Sequence, residues 1–181
     1  FYDTALSLED NRSCGVCHEQ AKGFTDGFPK AIGTTGELHF RNSQSLTNVG
    51  YFENLTWSTP SHEQLETQLL APLLGTDPIV EMGMGGKEEL LLERIGARED
   101  YRQMFSLAFP EAQDPISVEN LAKALAAFER TIISVDSRYD RYLRGEEDAL
   151  SEAALRGMDL FFGEAGCGRC HGGPDLMSPT D

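Results

Sequence analysis

All four cysteines of the chain fall in two copies of one short pattern, Cys14-Gly-Val-Cys17-His18 and Cys167-Gly-Arg-Cys170-His171. C-x-x-C-H is the attachment signature of a c-type haem. Two thiols add across the two vinyl groups of one haem, and the following imidazole ligates iron on its proximal face. A single copy would also suit a redox C-x-x-C or half a zinc site. A four-thiolate zinc site, however, needs no histidine after each pair, and a thioredoxin-like motif needs a βαβ pattern that is missing here. Two copies that use every cysteine therefore point to two covalently bound haem c groups and leave no thiol for a disulfide.

At 181 residues the chain is long enough for one ordinary domain or two small ones. Its formal net charge is −15 before any haem propionate is counted, which argues against nucleic acid as a partner. The same charge suits a basic redox partner, or simply a soluble exported protein. No run approaches the ~18 consecutive apolar residues of a membrane span. Covalent haem attachment implies export, so the expected location is periplasmic, although no signal peptide is visible in the sequence. Only ten residues follow His171. Met177 is six residues away, at most ~20 Å of extended chain, barely enough to round a haem edge. The distal side of the second haem is therefore expected in sequence beyond Asp181.

The pattern along the chain is mainly α. Ser7 is placed to cap a turn before Asn11, and Phe24 is a candidate to pack on the haem or in the core. Residues 28–50 read as a long irregular loop, of the kind usually held by a ligand. A helical run over 63–74 has Leu65, Leu69 and Leu73 on one stripe, with Pro72 set to end or kink it. A second loop, 75–86, carries Glu81-Met82-Gly83-Met84-Gly85-Gly86. Its glycines allow close backbone approach, Glu81 is its central carboxylate, and both methionines are expected to pack against haem. Helices are then predicted over 87–95, 99–109 (with Met104, Phe105 and Leu107), 118–134, 136–143 and 152–162. The stripe of the 118–134 helix is Leu121, Leu125, Phe128 and Ile132. Ser151 caps the helix over 152–162, which leads into the second motif. A division near residue 148 is expected, giving an N-terminal haem domain (1–148) and the incomplete start of a C-terminal one (149–181). The expected architecture is thus two cytochrome c-like haem domains with long irregular loops, the second truncated.

Taken in order, these pieces resemble the bacterial di-haem cytochrome c peroxidase and MauG superfamily. The resemblance rests on Cys14–His18, Arg41-Asn42-Ser43 with Ser45-Leu46-Thr47-Asn48, Trp57, Gln68 with Pro72, Glu81-Met82-Gly83-Met84, and Leu155-Arg156-Gly157-Met158-Asp159-Leu160-Phe161-Phe162 running into Cys167–His171. It implies that His18 is the proximal ligand of a peroxide-reactive haem, with Glu81, Gln68 and Pro72 around its distal pocket. Trp57 would relay electrons between the haems, and Asn42 would ligate an inter-haem calcium. His171 would be the proximal ligand of a six-coordinate electron-transfer haem.

Two features depart from the usual family pattern. Trp57-Ser58-Thr59-Pro60 stands where Trp-Asp-Gly-Arg is usual. The loop histidine that caps the resting iron in many members lies several residues before the position of Asn42, whereas here the nearest is His39, three residues away. Thr34-Thr35-Gly36-Glu37, Thr56-Trp57, residues 80–86 and His171-Gly172-Gly173 look closer to the MbnH-like branch. That branch accompanies MbnP-like copper-binding partners and oxidises a partner tryptophan to kynurenine with peroxide. Three functions follow as expectations. The first is an oxidase that activates hydrogen peroxide and oxidises a protein partner. The second is a peroxidase that draws electrons from a small cytochrome or copper protein. The third is a plain di-haem electron carrier, which would not need Glu81 and Gln68.

Overall fold

The computed structural model describes residues 1–56, 64–77, 80–173 and 176–177. The helices are α1 (Cys14–Cys17), α2 (Leu65–Gln68), α3 (Leu70–Leu74), α4 (Glu88–Gly96), α5 (Glu99–Ala108), α6 (Val118–Glu129), α7 (Arg138–Leu143) and α8 (Glu152–Phe162). Short 3-10 turns occur at Thr4–Leu6, Gln20–Lys22, Val49–Tyr51, Glu147–Ala149 and Cys167–Arg169. Among the described residues there is no strand. Two isolated bridges, Glu19 with Thr25 and Ile32 with Leu38, are the extended pairings found there. The mainly helical expectation therefore holds, and residues 28–50 are irregular apart from one 3-10 turn.

Helix starts follow the capping residues. Ser117, Ser137 and Ser151 each accept a hydrogen bond from the backbone N–H three residues on, at the heads of α6, α7 and α8. At α7 the cap is reciprocal, because Asp140 also accepts from the Ser137 N–H. Ser7 behaves as expected, its buried Oγ accepting from the Asn11 and Arg12 N–H groups at 3.1 and 3.0 Å.

Two helices end or break where the sequence periodicity does not show it. The run expected over 63–74 is divided at Leu69 into α2 and α3. Pro72 has no N–H to donate to the Gln68 carbonyl, and its ring crowds that carbonyl. The leucine stripe survives the break, with Leu65, Leu69 and Leu73 all buried. The long helix expected to reach residue 134 stops at Glu129. Beyond it the chain is held by Asn48 instead. The Asn48 N–H donates to Ile132 O at 2.8 Å, its Nδ2 to Ser134 O at 2.9 Å, and its Oδ1 accepts from Ser134 N–H at 2.7 Å. A side-chain amide here mimics a strand partner and competes with the helix for those backbone groups.

In the core α2 packs on α6 and on α3, α4 packs on α5 and on the Thr4–Leu6 turn, and one cluster of buried side chains joins them. Leu65, Leu69 and Leu73 meet Leu121, Leu125 and Ala126, with Leu91, Ile95 and Phe105 from the other pair. A bidentate ion pair from Arg130 to Glu66 ties the end of α6 to α2. Arg94 of α4 donates to the Ser7 and Leu8 carbonyls, anchoring the N-terminal segment that leads into α1. On α5 only part of the expected apolar set is inside. Phe105 is buried, whereas Met104 is 51% and Leu107 82% exposed. Leu91 is fully enclosed, so Leu91→Ala is expected to cost about 2–5 kcal/mol, against less than about 0.5 kcal/mol for Leu107→Ala. Chemical denaturation of the two variants beside the parent protein measures the difference.

Candidate functional site

The first C-x-x-C-H run forms a single helical turn. The His18 N–H closes on the Cys14 carbonyl at 2.8 Å, so both thiols and the imidazole project from one short segment. His18 Nδ1 lies 2.9 Å from Phe24 O. A carbonyl can only accept, so Nδ1 carries the proton and the neutral ring keeps its lone pair on Nε2. Burial holds His18 below the ordinary histidine range, opposed by the backbone of Phe24 and Gln44 and by the Asp26 charge. The balance favours the neutral imidazole, the form that ligates metal. Phe1 flanks the ring at 6.5 Å between centroids.

The second run repeats this geometry. The His171 N–H closes on Cys167 O at 2.9 Å, and its Nδ1 lies 3.3 Å from Leu176 O. Phe161 flanks the ring at 6.5 Å. The residues whose carbonyls receive the two imidazoles, Phe24 and Leu176, both adopt a left-handed backbone, φ 59° and 57°. Non-glycine residues seldom take that conformation, and here it turns a carbonyl back toward the histidine in both motifs.

A cavity of about 330 Å³ opens beside α1. Its wall includes Cys14, Cys17 and His18, and also Gln68, Pro72, Glu81 and Met82. Residues predicted for the first haem site from three separate stretches of sequence therefore converge on one space. Asn42 joins them, its Nδ2 donating to Ser43 O. Met84 does not. It is wholly buried in the core, so the expectation that both methionines face a haem is met by Met82 alone. Trp57 lies outside the described residues.

Glu81 is positioned by backbone. Its carbonyl accepts from Thr34 N–H at 2.7 Å, and the next N–H, of Met82, donates to Pro72 O at 3.0 Å. Gly33 packs so tightly beneath this segment that a Cβ there would fall 2.0 Å from Val80 O. Burial raises the Glu81 carboxyl above its usual range, and His39 opposes the rise, its Nδ1 3.8 Å from Glu81 Oε1. The sequence reading did not pair these two residues. The wall also includes Glu129, which that reading did not single out. It is 3% exposed, its Oε2 has no hydrogen-bond partner among the described residues, and burial pushes its carboxyl up to about 7.

The donor set fits haem c better than the alternatives. Burial pushes the Cys14 thiol up to about 11 and raises Cys17 as well, so neither is the low-pKa thiolate of a redox C-x-x-C. Among the described residues no three His, Cys, Asp or Glu side chains converge as a metal site. Two thiols and one imidazole lone pair beside a largely apolar cavity are what a covalently attached haem requires.

Comparison with known proteins agrees with this chemistry. A family model described as di-haem cytochrome c peroxidase matches residues 1–148. The methylamine utilization protein MauG of Methylorubrum extorquens is 33% identical over 94% of this chain and 46% of its own length. The cytochrome c551 peroxidase of Pseudomonas aeruginosa is 30% identical over 97% of this chain and 49% of its own. The crystal structure of a MauG-like protein associated with microbial copper homeostasis superposes with a TM-score of 0.89 at 45% identity, over 98% of this chain and 51% of that one. The chain thus spans about half the length of the relatives it matches.

Glu129 gives the site a pH signature. Its folded pKa lies above the unfolded value of 4.5. Between these values the unfolded chain has lost a proton that the folded one keeps, so stability falls as pH rises from about 4.5 to about 7. Glu129→Gln removes the effect. The variant is expected to gain up to about 3 kcal/mol on the parent across that window, read from denaturation midpoints of the haem-loaded proteins as a function of pH.

Proposed function

Because the chain belongs to the di-haem cytochrome c peroxidase family, we propose that the whole protein activates hydrogen peroxide at the haem carried by Cys14, Cys17 and His18 and uses the oxidising equivalents on a protein partner, as a MauG-like enzyme. The observation that carries the reading is the single cavity onto which both thiols, His18, Gln68, Pro72 and Glu81 converge. A carrier of electrons alone would have no use for the last three. The haem, when bound, supplies the iron at which peroxide binds and the two-electron chemistry that splits its O–O bond.

The remaining work falls to side chains of this chain. Glu81 takes the proton from the inner peroxide oxygen and returns it to the outer one, so that water is the leaving group and the carboxylate is regenerated. Its lift by burial makes it a stronger base than an ordinary glutamate once ionised. Gln68 offers both an amide donor and a carbonyl acceptor to orient peroxide or a pocket water. Pro72 presents an apolar wall and, through its carbonyl, holds the Met82 N–H beside Glu81. Trp57 carries electrons between this haem and the one held by Cys167, Cys170 and His171.

Likeness to a MauG-like protein associated with microbial copper homeostasis, with the MbnH-like details of the sequence, favours a copper-binding protein partner whose tryptophan is oxidised. The cytochrome c551 peroxidase relative supports a second reading, reduction of peroxide to water with electrons from a small cytochrome or copper protein. In either case the protein works in the periplasm, residues 1–148 form the peroxide-reactive haem domain and 149–181 begin the electron-transfer one. Calcium at Asn42 rests on the resemblance alone, and no step is assigned to it. Among the described residues no helix is long and apolar enough to cross a membrane.

One equivalent of peroxide added to the full-length ferric protein without reductant tests the reading. A long-lived near-infrared charge-resonance band is expected for the MauG-like enzyme, whereas no reaction until one haem is reduced would favour the peroxidase. In the same assay Glu81→Gln is expected to slow the reaction with peroxide by at least about 100-fold. A variant that reacts at the parent rate removes Glu81 from the mechanism.

A further inference from the structure

The proton transfer assigned to Glu81 raises a difficulty that its surroundings answer. A carboxyl partly withdrawn from water leans toward its neutral form, and a neutral acid is far too weak a base to take the first proton from peroxide. Burial acts on Glu81 in this direction, and the opposing influence is that of His39 when its imidazole is protonated. His39 Nδ1 stands 3.8 Å from Glu81 Oε1, beyond a hydrogen bond but within ion-pair range, and both residues line the cavity.

The approach is built by backbone. Residues 31–41 fold back on themselves through Ala31 N–H to Arg41 O (3.0 Å), His39 N–H to Ala31 O (2.8 Å) and Gly33 N–H to Glu37 O (2.9 Å). The same loop is fastened to the Glu81 segment by Thr34 N–H to Glu81 O. The close fit of Gly33 beneath Val80 leaves the two backbones no room to slide. His39 and Glu81 therefore sit on two segments held in fixed register. The His39 side chain is the more enclosed of the pair, 19% exposed against 46%.

We propose that His39 is a positioning residue for Glu81, its imidazole holding the carboxylate turned into the cavity and in the form able to accept a proton from peroxide. The inference rests on the reading of Glu81 given above. One proton moves, from the inner peroxide oxygen to Glu81 and from Glu81 to the outer oxygen, and His39 neither gains nor loses one in the step. Arg12, Arg41, Cys14, Cys17, His18 and Glu129 are the other titratable or charged groups on the cavity wall. Of these Glu129 has the wrong sign to keep a carboxylate ionised, and the Coulombic influence on Glu81 is that of His39.

The test uses the full-length protein with both haems attached, as the parent, His39→Gln and Glu81→Gln, with His39→Asn as a second variant should the first load haem poorly. Infrared difference spectra against pH follow the carbonyl stretch of a protonated carboxyl, assigned to Glu81 by its loss in Glu81→Gln. Loss of the His39 charge is expected to move this titration up by about one pH unit or more. The acid limb of the rate with peroxide should move with it, and the ferric visible spectrum should stay unchanged. A Glu81 titration that stays in place overturns the proposal. So does a ferric spectrum that loses a nitrogen ligand in His39→Gln, because His39 would then be bound to iron. If Glu81→Gln reacts at the parent rate, the reading of Glu81 fails and the role of His39 fails with it. If Glu81→Gln is slow while His39→Gln titrates as the parent does, the role of His39 alone is lost.

Discussion

The hydrogen bond from His18 Nδ1–H to the Phe24 carbonyl is the contact on which the site depends. Without it neither the tautomer nor the facing of the imidazole is set by a hydrogen bond to Phe24. With it the ring has one orientation and one available lone pair. The bond in turn requires Phe24 to adopt a left-handed backbone, which the flanking loop enforces: Phe24 N–H donates to Glu19 O, and Glu19 N–H to Thr25 O. Residues 19–25 are thus a closed loop whose purpose is to aim one carbonyl. Recurrence of the arrangement at His171 and Leu176 shows that each motif carries its own orienting carbonyl a few residues downstream. The C-x-x-C-H pattern extends beyond its five residues.

Much of the fold was legible because it follows from local chemistry. Ser151 marks a helix start, and the leucine period over 65–73 marks the buried face. The four stretches that meet at the cavity were separately recognisable as sequence. What periodicity missed were features set by partners distant in the chain. Nothing local says that Asn48 will pair with residues 132–134 and end α6 early, since the competing hydrogen bonds come from 86 residues away. The exposure of Leu107 has the same origin, because α5 presents only the Phe105 side of its apolar set to α4 and the core.

At the site, residue identities were legible and pairings were not. Glu81 stood out as a carboxylate among glycines. Its environment depends on Gly33, Thr34 and His39, from a loop with little periodicity of its own. The glycine-rich character of 80–86 suggested close backbone approach. Gly85 realises it, since a Cβ there would fall 2.2 Å from Leu74 O, and Gly33 adds a second close approach from outside the stretch. Glu129 was hidden differently, because a helical period predicts burial without saying whether a buried glutamate will find a partner.

Glu81 and Glu129 show why one cavity with two carboxyls need not have two proton-transfer groups. Burial lifts both. Glu129 is sealed at 3% exposure, and one oxygen has no hydrogen-bond partner among the described residues. A proton on it is retained through most of the acidic range. Glu81 keeps about half of its side chain accessible and has His39 beside it, so its ionised form is supported and its proton can exchange. Groups whose environments divide in this way take different roles. The accessible and charge-supported carboxyl can act in turnover, while the sealed one contributes a neutral wall whose ionisation the fold resists. The proposal that Glu81 transfers the proton thus draws on the surroundings of both groups as well as on the resemblance that first singled it out.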